Sequence, residues 1–209
     1  MITTLRVIFL SIVSSLSACG QETFIDPRDN NEYSIVQIGN YQWFGTNLRF
    51  LTPDSWCAQN SHVEPCSQSN FYFHSDLQQL CPTGWRIPTW EDWKNTLEII
   101  NQSDSLVVEI TELPYTNYRI IAERVIQENV LQDTAYLNLN PLGWIQGKKW
   151  VMQPDQANLW VTESHATGPP PHLHVRDSSI LKHAHEHHIW DKPKKQRRFA
   201  VRCIKCIDE

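Results

Sequence analysis

Cys81-Pro82-Thr83-Gly84-Trp85-Arg86-Ile87-Pro88-Thr89-Trp90-Glu91-Asp92-Trp93 places a turn, an extended passage and a helix start in close succession. Pro82 and Gly84 end whatever precedes them. Thr89-Trp90-Glu91-Asp92 has the form of a capping box. A hydroxyl stands at the cap, a carboxylate follows three residues later, and two acids in the first turn complement the helix dipole. Trp90, Trp93, Leu97 and Ile100 then fall on one helical face, which predicts an amphipathic helix. Upstream, Ser75 is the expected N-cap of a short helix through Leu80, with Leu77 and Leu80 three apart.

Working outward, Phe24–Asn31 is rich in turn residues. Tyr33–Ile38 alternates and predicts a strand, Gly39-Asn40 a turn, and Tyr41–Leu48 the second strand of a hairpin. Residues 51–70 form a polar loop carrying Cys57 and Cys66. Within 101–140, Leu106–Ile110 reads as a strand, while Ile120–Leu131 fits either a helix or two short strands. Gly143–Trp150 and Leu159–Thr162 read as strand segments. His172–Arg176, the turn Asp177-Ser178-Ser179 and Ile180–His187 read as a hairpin. Phe199–Ile204 reads as a terminal strand with Phe199, Val201 and Cys203 on one face. Helices early and strands late imply an α+β fold.

The chain has 209 residues, a net charge of −5, 41% hydrophobic residues and nine Trp. That composition excludes a disordered polymer. A mean hydropathy of −0.43 excludes a multi-span membrane protein. With no internal period, a single domain is expected.

The start of the chain bears on compartment. Arg6 is followed by the apolar run Val7–Val13, too short to span a bilayer. Leu16-Ser17-Ala18-Cys19-Gly20 resembles a bacterial lipobox. Residues 1–18 are therefore expected to be a lipoprotein signal peptide, Cys19 the lipidated residue and 19–23 a tether. Two or more acyl chains anchor stably where one does not. Gly20 after the cysteine, by analogy with lipoprotein sorting rules, favours the outer membrane, facing either the periplasm or the cell surface. An oxidising envelope permits disulfides. Cys57 and Cys66 are expected to staple one loop, and Cys81 and Cys203 to tie the middle of the domain to its last strand. Cys206 could replace Cys203 as the partner of Cys81. Cys203-Ile204-Lys205-Cys206 is a CxxC, but no thioredoxin-like βαβ pattern surrounds it.

A family resemblance runs through these segments. Phe24-Ile25-Asp26-Pro27-Arg28-Asp29, Tyr33–Gly39, Gln42-Trp43-Phe44 and Asn47-Leu48 resemble the opening of the Fibrobacter succinogenes major paralogous (FISUMP) domain. Cys81–Thr89 with Glu91 and Trp93 resembles its central motif. Pro141-Leu142-Gly143, Leu159–Ser164 and Phe199–Cys203 follow in order, so the resemblance covers about 24–206. It implies a bacterial envelope or secreted protein with a C-type-lectin-like fold, two short helices packed on small antiparallel sheets with long loops. It implies no particular activity. A Pro- and His-rich segment, 165–188, stands where family members usually carry a Gly/Ser/Tyr-rich stretch.

That segment holds the strongest chemical signal. His172 and His174, and His183, His185 and His187, recur at two-residue spacing, which shares a face on a strand. If His174 faces His183 and His172 faces His185, five imidazoles converge as zinc, copper or nickel ligands. A one-residue slip would separate the rows. Clustered histidines would also charge together near pH 6–6.5. Gln153-Pro154-Asp155 resembles the triplet that serves calcium and sugar hydroxyls in C-type lectins. Glu163 and Asp191 could complete that oxygen-rich site. The alternative for the triplet is a plain turn.

Trp85, Trp90 and Trp93 are expected in the core. Among Trp144, Trp150, Trp160 and Trp190, one or two could form exposed platforms. Lys192–Arg198 carries five positive charges in seven residues. With an export signal it fits attraction to anionic glycans or lipid headgroups, not nucleic acid. No GxSxG, HExxH or phosphate-cradling loop is present. The leading reading is a lipid-anchored binding or adhesion module for a glycan or protein. A transition-metal-binding envelope protein comes second and an enzyme last.

Overall fold

The computed structural model describes residues 22–57, 69–104, 108–113, 117–122, 137, 139, 142–152, 156–162, 171–176, 179–184 and 197–207. Its strands in chain order begin with β1 (Thr23–Ile25), β2 (Glu32–Ile38), β3 (Tyr41–Phe44), β4 (Trp56–Cys57) and β5 (Asn70–Phe71). A 3-10 helix (His74–Gln79) and α1 (Trp90–Asp104) follow. Then come β6 (Val108–Leu113), β7 (Asn117–Ala122), β8 (Trp144–Gln146), β9 (Lys149–Val151) and β10 (Gln156–Trp160). The last are β11 (Pro171–Arg176), β12 (Ser179–Ala184), β13 (Arg197–Arg198) and β14 (Ile204–Cys206). The fold is α+β with strands predominating, arranged as small antiparallel sheets of order β1-β2-β3-β14, β10-β11-β12-β7-β6, β13-β8-β9 and β4-β5. No described helix is long and apolar enough to cross a membrane.

The first hairpin explains its own sequence. Val36 pairs Trp43 and Ile35 pairs Phe44. Val36 and Trp43 enter one apolar cluster with Trp90, Trp93, Leu97, Leu159 and Leu173. Tyr33, Ile35 and Phe44 enter a second with Leu48, Tyr72, Trp160 and Phe199. Alternate side chains of these strands thus face two different cores, so both faces are apolar. Gly39 turns the hairpin at φ +56, and a Cβ there would stand 2.5 Å from Cδ1 of Ile99 on α1. Thr23, assigned from sequence to a tether, belongs to β1 and pairs Ser34.

The central motif folds as its capping box requires. The Asp92 amide donates to Thr89 Oγ1 at 3.1 Å, and the Thr89 amide donates to Asp92 Oδ2 at 2.6 Å. Arg86 Nη2 donates to Asp92 Oδ1 at 2.8 Å, tying the extended passage to the helix start. The preceding helix departs from expectation. It is 3-10, starts at His74 with Phe73 as its N-cap, and has no side-chain cap. Ser75 Oγ instead donates to the neighbouring Asp76 carboxylate. A hydroxyl spent on its neighbour leaves the first-turn amides uncapped, and the tighter 3-10 winding keeps the element short.

Residues 197–206 are the spine of the molecule, and here the expected single strand is broken. Arg197 and Arg198 pair β8, Phe199 bridges Tyr72, Ala200 bridges Leu159, and β14 pairs β3. One strand cannot be straight and also serve four separate neighbours. The expected alternation survives nonetheless. Phe199, Val201 and Cys203 lie in the second core, and Ala200 and Ile204 in the first. Between them Arg202 is fully buried, donating to the carbonyls of Phe44 and Leu137 and to Asn47 Oδ1 at 2.7–2.8 Å. Burial pulls its pKa down to about 9, which leaves it cationic at neutral pH. A disulfide joins Cys81 to Cys203, 122 residues apart. Cys206 is an exposed free thiol, and Cys57 is disulfide-bonded. Cys66 lies outside the described residues.

The less legible stretches resolve in part. The helix runs to Asp104, so the strand expected at 106–110 starts at Val108 and reaches Leu113. Asn117–Ala122 is a strand that pairs both β6 and β12. The expected strand 143–150 is a hairpin, β8 and β9, turning at Gly147 with φ +60.

Candidate functional site

Two surfaces built from the late strands collect the chemistry-bearing residues. The first lies on β10 and β11. In this pair Trp160 opposes His172 and Asn158 opposes His174. Opposed residues share a face. Ala157, Leu159, Leu173 and Val175 take the other face and fill the first core. Gln156, Asn158, Trp160, His172 and His174 are left on the reverse face. All but His174 are buried there, and His174 is half-buried.

Their polar atoms are chained together. The Gln156 amide meets both Asn158 Oδ1 and His174 Nδ1. On the far side of the ring, His174 Nε2 lies 2.9 Å from His172 Nε2. His172 is walled by aromatics. It stacks on Phe199 with centroids 4.3 Å apart and meets the edge of Trp160 at 6.0 Å. Facing Nε2 atoms can share one proton or one cation, since two N–H groups cannot point at each other.

The register corrects the sequence reading by two residues. His172 faces His183, and His174 faces Leu181, because Arg176 pairs Ser179 where the expected register would pair it with Leu181. A two-residue shift preserves the face of a strand. His185 and His187 lie outside the described residues. Among the described residues no three metal-ligating side chains converge.

The second region is the corner around β13, whose successive residues Arg197 and Arg198 alternate between the two faces of the strand and meet different aromatic rings. Arg198 lies 3.6 Å from the centroid of Phe73 and 5.8 Å from that of Trp56. Arg197 lies 5.5 Å from that of Trp144. Arg198 also donates to the carbonyls of Asp54 and Gly147, so one guanidinium holds three segments. Burial lowers the pKa of both arginines, which still remain charged. Trp56, Phe73, Trp144, Arg197 and Arg198 are all half-buried and so part-accessible.

Other predicted residues are distributed as follows. Trp90, Trp93 and Trp160 are core. Trp85, Trp144 and Trp150 pack partly against the cores. Cys19, Gln153, Asp155, Glu163, Trp190, Asp191 and Lys192 to Lys195 lie outside the described residues. Sequence reading missed Gln156 and Asn158. Their signal was present as alternation with Ala157, Leu159 and Val161, which makes a polar row on a strand whose other face is apolar. It missed the corner too, because Trp56, Phe73 and Arg198 are far apart in the chain and no local pattern joins them.

No curated protein and no solved structure matches this chain. The family model of the Fibrobacter succinogenes major domain matches residues 36–205, from the first hairpin to the terminal spine. The chain therefore belongs to the Fibrobacter succinogenes major domain family.

Proposed function

We propose that this protein is a lipid-anchored cell-envelope binding module whose ligand is an anionic glycan. The observation that carries this is the two half-buried cation–aromatic sets of β13, Arg198 with Phe73 and Trp56 and Arg197 with Trp144. Aromatic faces take up the apolar faces of sugar rings. Cationic guanidinium groups attract carboxylate, sulfate or phosphate substituents. Arg198 acts here as a fixed charge, since its Nε and Nη1 already donate to carbonyls. The adjoining run Lys192–Arg198 adds charge of the same sign in a chain that is acidic overall, so the basic character is local. Anchoring through Cys19, in the outer membrane, would hold this corner against envelope polysaccharide. The pairing of β14 with β3 brings the two ends of the domain together and supports a C-type-lectin-like architecture.

The test uses immobilised acidic and neutral bacterial polysaccharides and the soluble chain 21–209. The acidic polymers should retain the wild type. Trp144→Ala and a Lys192→Gln/Lys194→Gln/Lys195→Gln variant should each lose retention. Lys94→Gln, which removes a positive charge paired with Glu91 on α1, should not. Equal retention of all variants, or of neutral and acidic polymers, would overturn the reading.

A further inference from the structure

We infer that the reverse face of β10–β11 carries a site for a late first-row transition ion, with His172 and His174 as paired Nε2 ligands. The two Nε2 atoms already converge at 2.9 Å. Two imidazoles on one tetrahedral zinc, with Zn–N bonds of about 2.0–2.1 Å, stand about 3.3 Å apart, so a few tenths of an ångström of ring movement opens the site. Solvent would complete the coordination at the half-exposed His174 side.

The surroundings suit a metal in two further ways. Ligating histidines are held by a hydrogen bond at the other ring nitrogen, which fixes the tautomer. Gln156 occupies that position on His174, meeting Nδ1. With its amide turned to present Oε1 it accepts from Nδ1–H and leaves the Nε2 lone pair for the ion. With its NH2 presented, Nε2 must carry the proton shared with His172. Amide orientation is thus coupled to occupancy. On the other side, the stack on Phe199 holds the His172 ring rigidly in an apolar wall. Imidazole-only donors select zinc, copper, nickel or cobalt over calcium or magnesium.

The experiment titrates the chain 21–209 with cobalt(II), zinc(II) and copper(II). Cobalt reports tetrahedral geometry through its visible ligand-field bands. Copper reports proximity by quenching Trp160, whose ring lies 6.0 Å from that of His172. The expected result is one tight site per chain. His172→Phe, which keeps the stack, and His174→Phe should each weaken it by about 100-fold or more, and Gln156→Leu by about 10–100-fold. A His185→Gln/His187→Gln/His188→Gln variant should keep it, which separates this site from loose binding to the His-rich segment. Near-ultraviolet circular dichroism confirms that each variant is folded. Should folded His172→Phe bind as tightly as wild type, or should the triple variant alone abolish binding, the site is not here.

Discussion

Asp92 concentrates several jobs in one carboxylate. It closes the capping box with Thr89 and accepts from Arg86. Burial alone would raise its pKa, but the hydrogen bonds from Arg86 and Thr89 outweigh burial and hold it below 3.8. A depressed folded pKa means the unfolded chain binds the proton more readily. The stabilisation is therefore present above pH 3.8 and drains away as pH falls through the folded value. Asp92→Asn should cost about 1–2 kcal/mol at neutral pH, mostly through the cap, because Arg86 is about half exposed and its ion pair adds little. Urea unfolding against pH should show the gap between wild type and variant closing in acid. Arg202 is the opposite case, a buried cation serving carbonyls. Arg202→Met should destabilise by about 1–3 kcal/mol, since the Phe44 and Leu137 carbonyls lose their donor in a dry site. Arg202→Lys should not restore it, because an ammonium lacks the planar fork that reaches three acceptors. Denaturant midpoints measure both.

At the scale of elements, the spine 197–206 ties the early hairpin, the central motif and the late strands, and the Cys81–Cys203 disulfide locks it. A double Cys81→Ala/Cys203→Ala variant should lose about 4–5 kcal/mol in the chain-entropy model of a loop this long. Its thermal midpoint should fall well below that of the oxidised wild type. Elements with strong local signals were legible in the sequence. The Gly39 hairpin, the Thr89 cap and the apolar face of α1 each carry a complete instruction within a few residues. The spine was legible only as alternation. Its breaks are imposed by four partners far away in the chain, and no local propensity encodes them. β6 and β7 were blurred for a related reason, since short strands stabilised by their neighbours in a sheet have little periodicity of their own. The histidine face was legible as spacing. Its register was not, because closing the hairpin with Arg176 opposite Ser179 instead of Leu181 moves every partner by two.

At the scale of the whole molecule, the proposed lipid anchor at Cys19 would hold at the envelope a domain with a basic aromatic corner at β13. Expressed in a bacterium that processes lipoproteins, the full chain should sediment with membranes. Cys19→Ala should appear in the soluble fraction, because under the proposed lipidation the acyl chains would supply the attachment. The most direct test of the central claim is calorimetric titration of the chain 21–209 with a sulfated polysaccharide and with its unsulfated parent. Each titration is run at low salt and at about 1 M salt, where the Debye length shrinks to about 3 Å. The account predicts saturable binding of the sulfated polymer at low salt, weakened at least about tenfold at high salt as screening takes hold. The unsulfated parent should give no saturable heat. Absence of binding to the sulfated polymer, or equal and salt-independent binding of both, would contradict it.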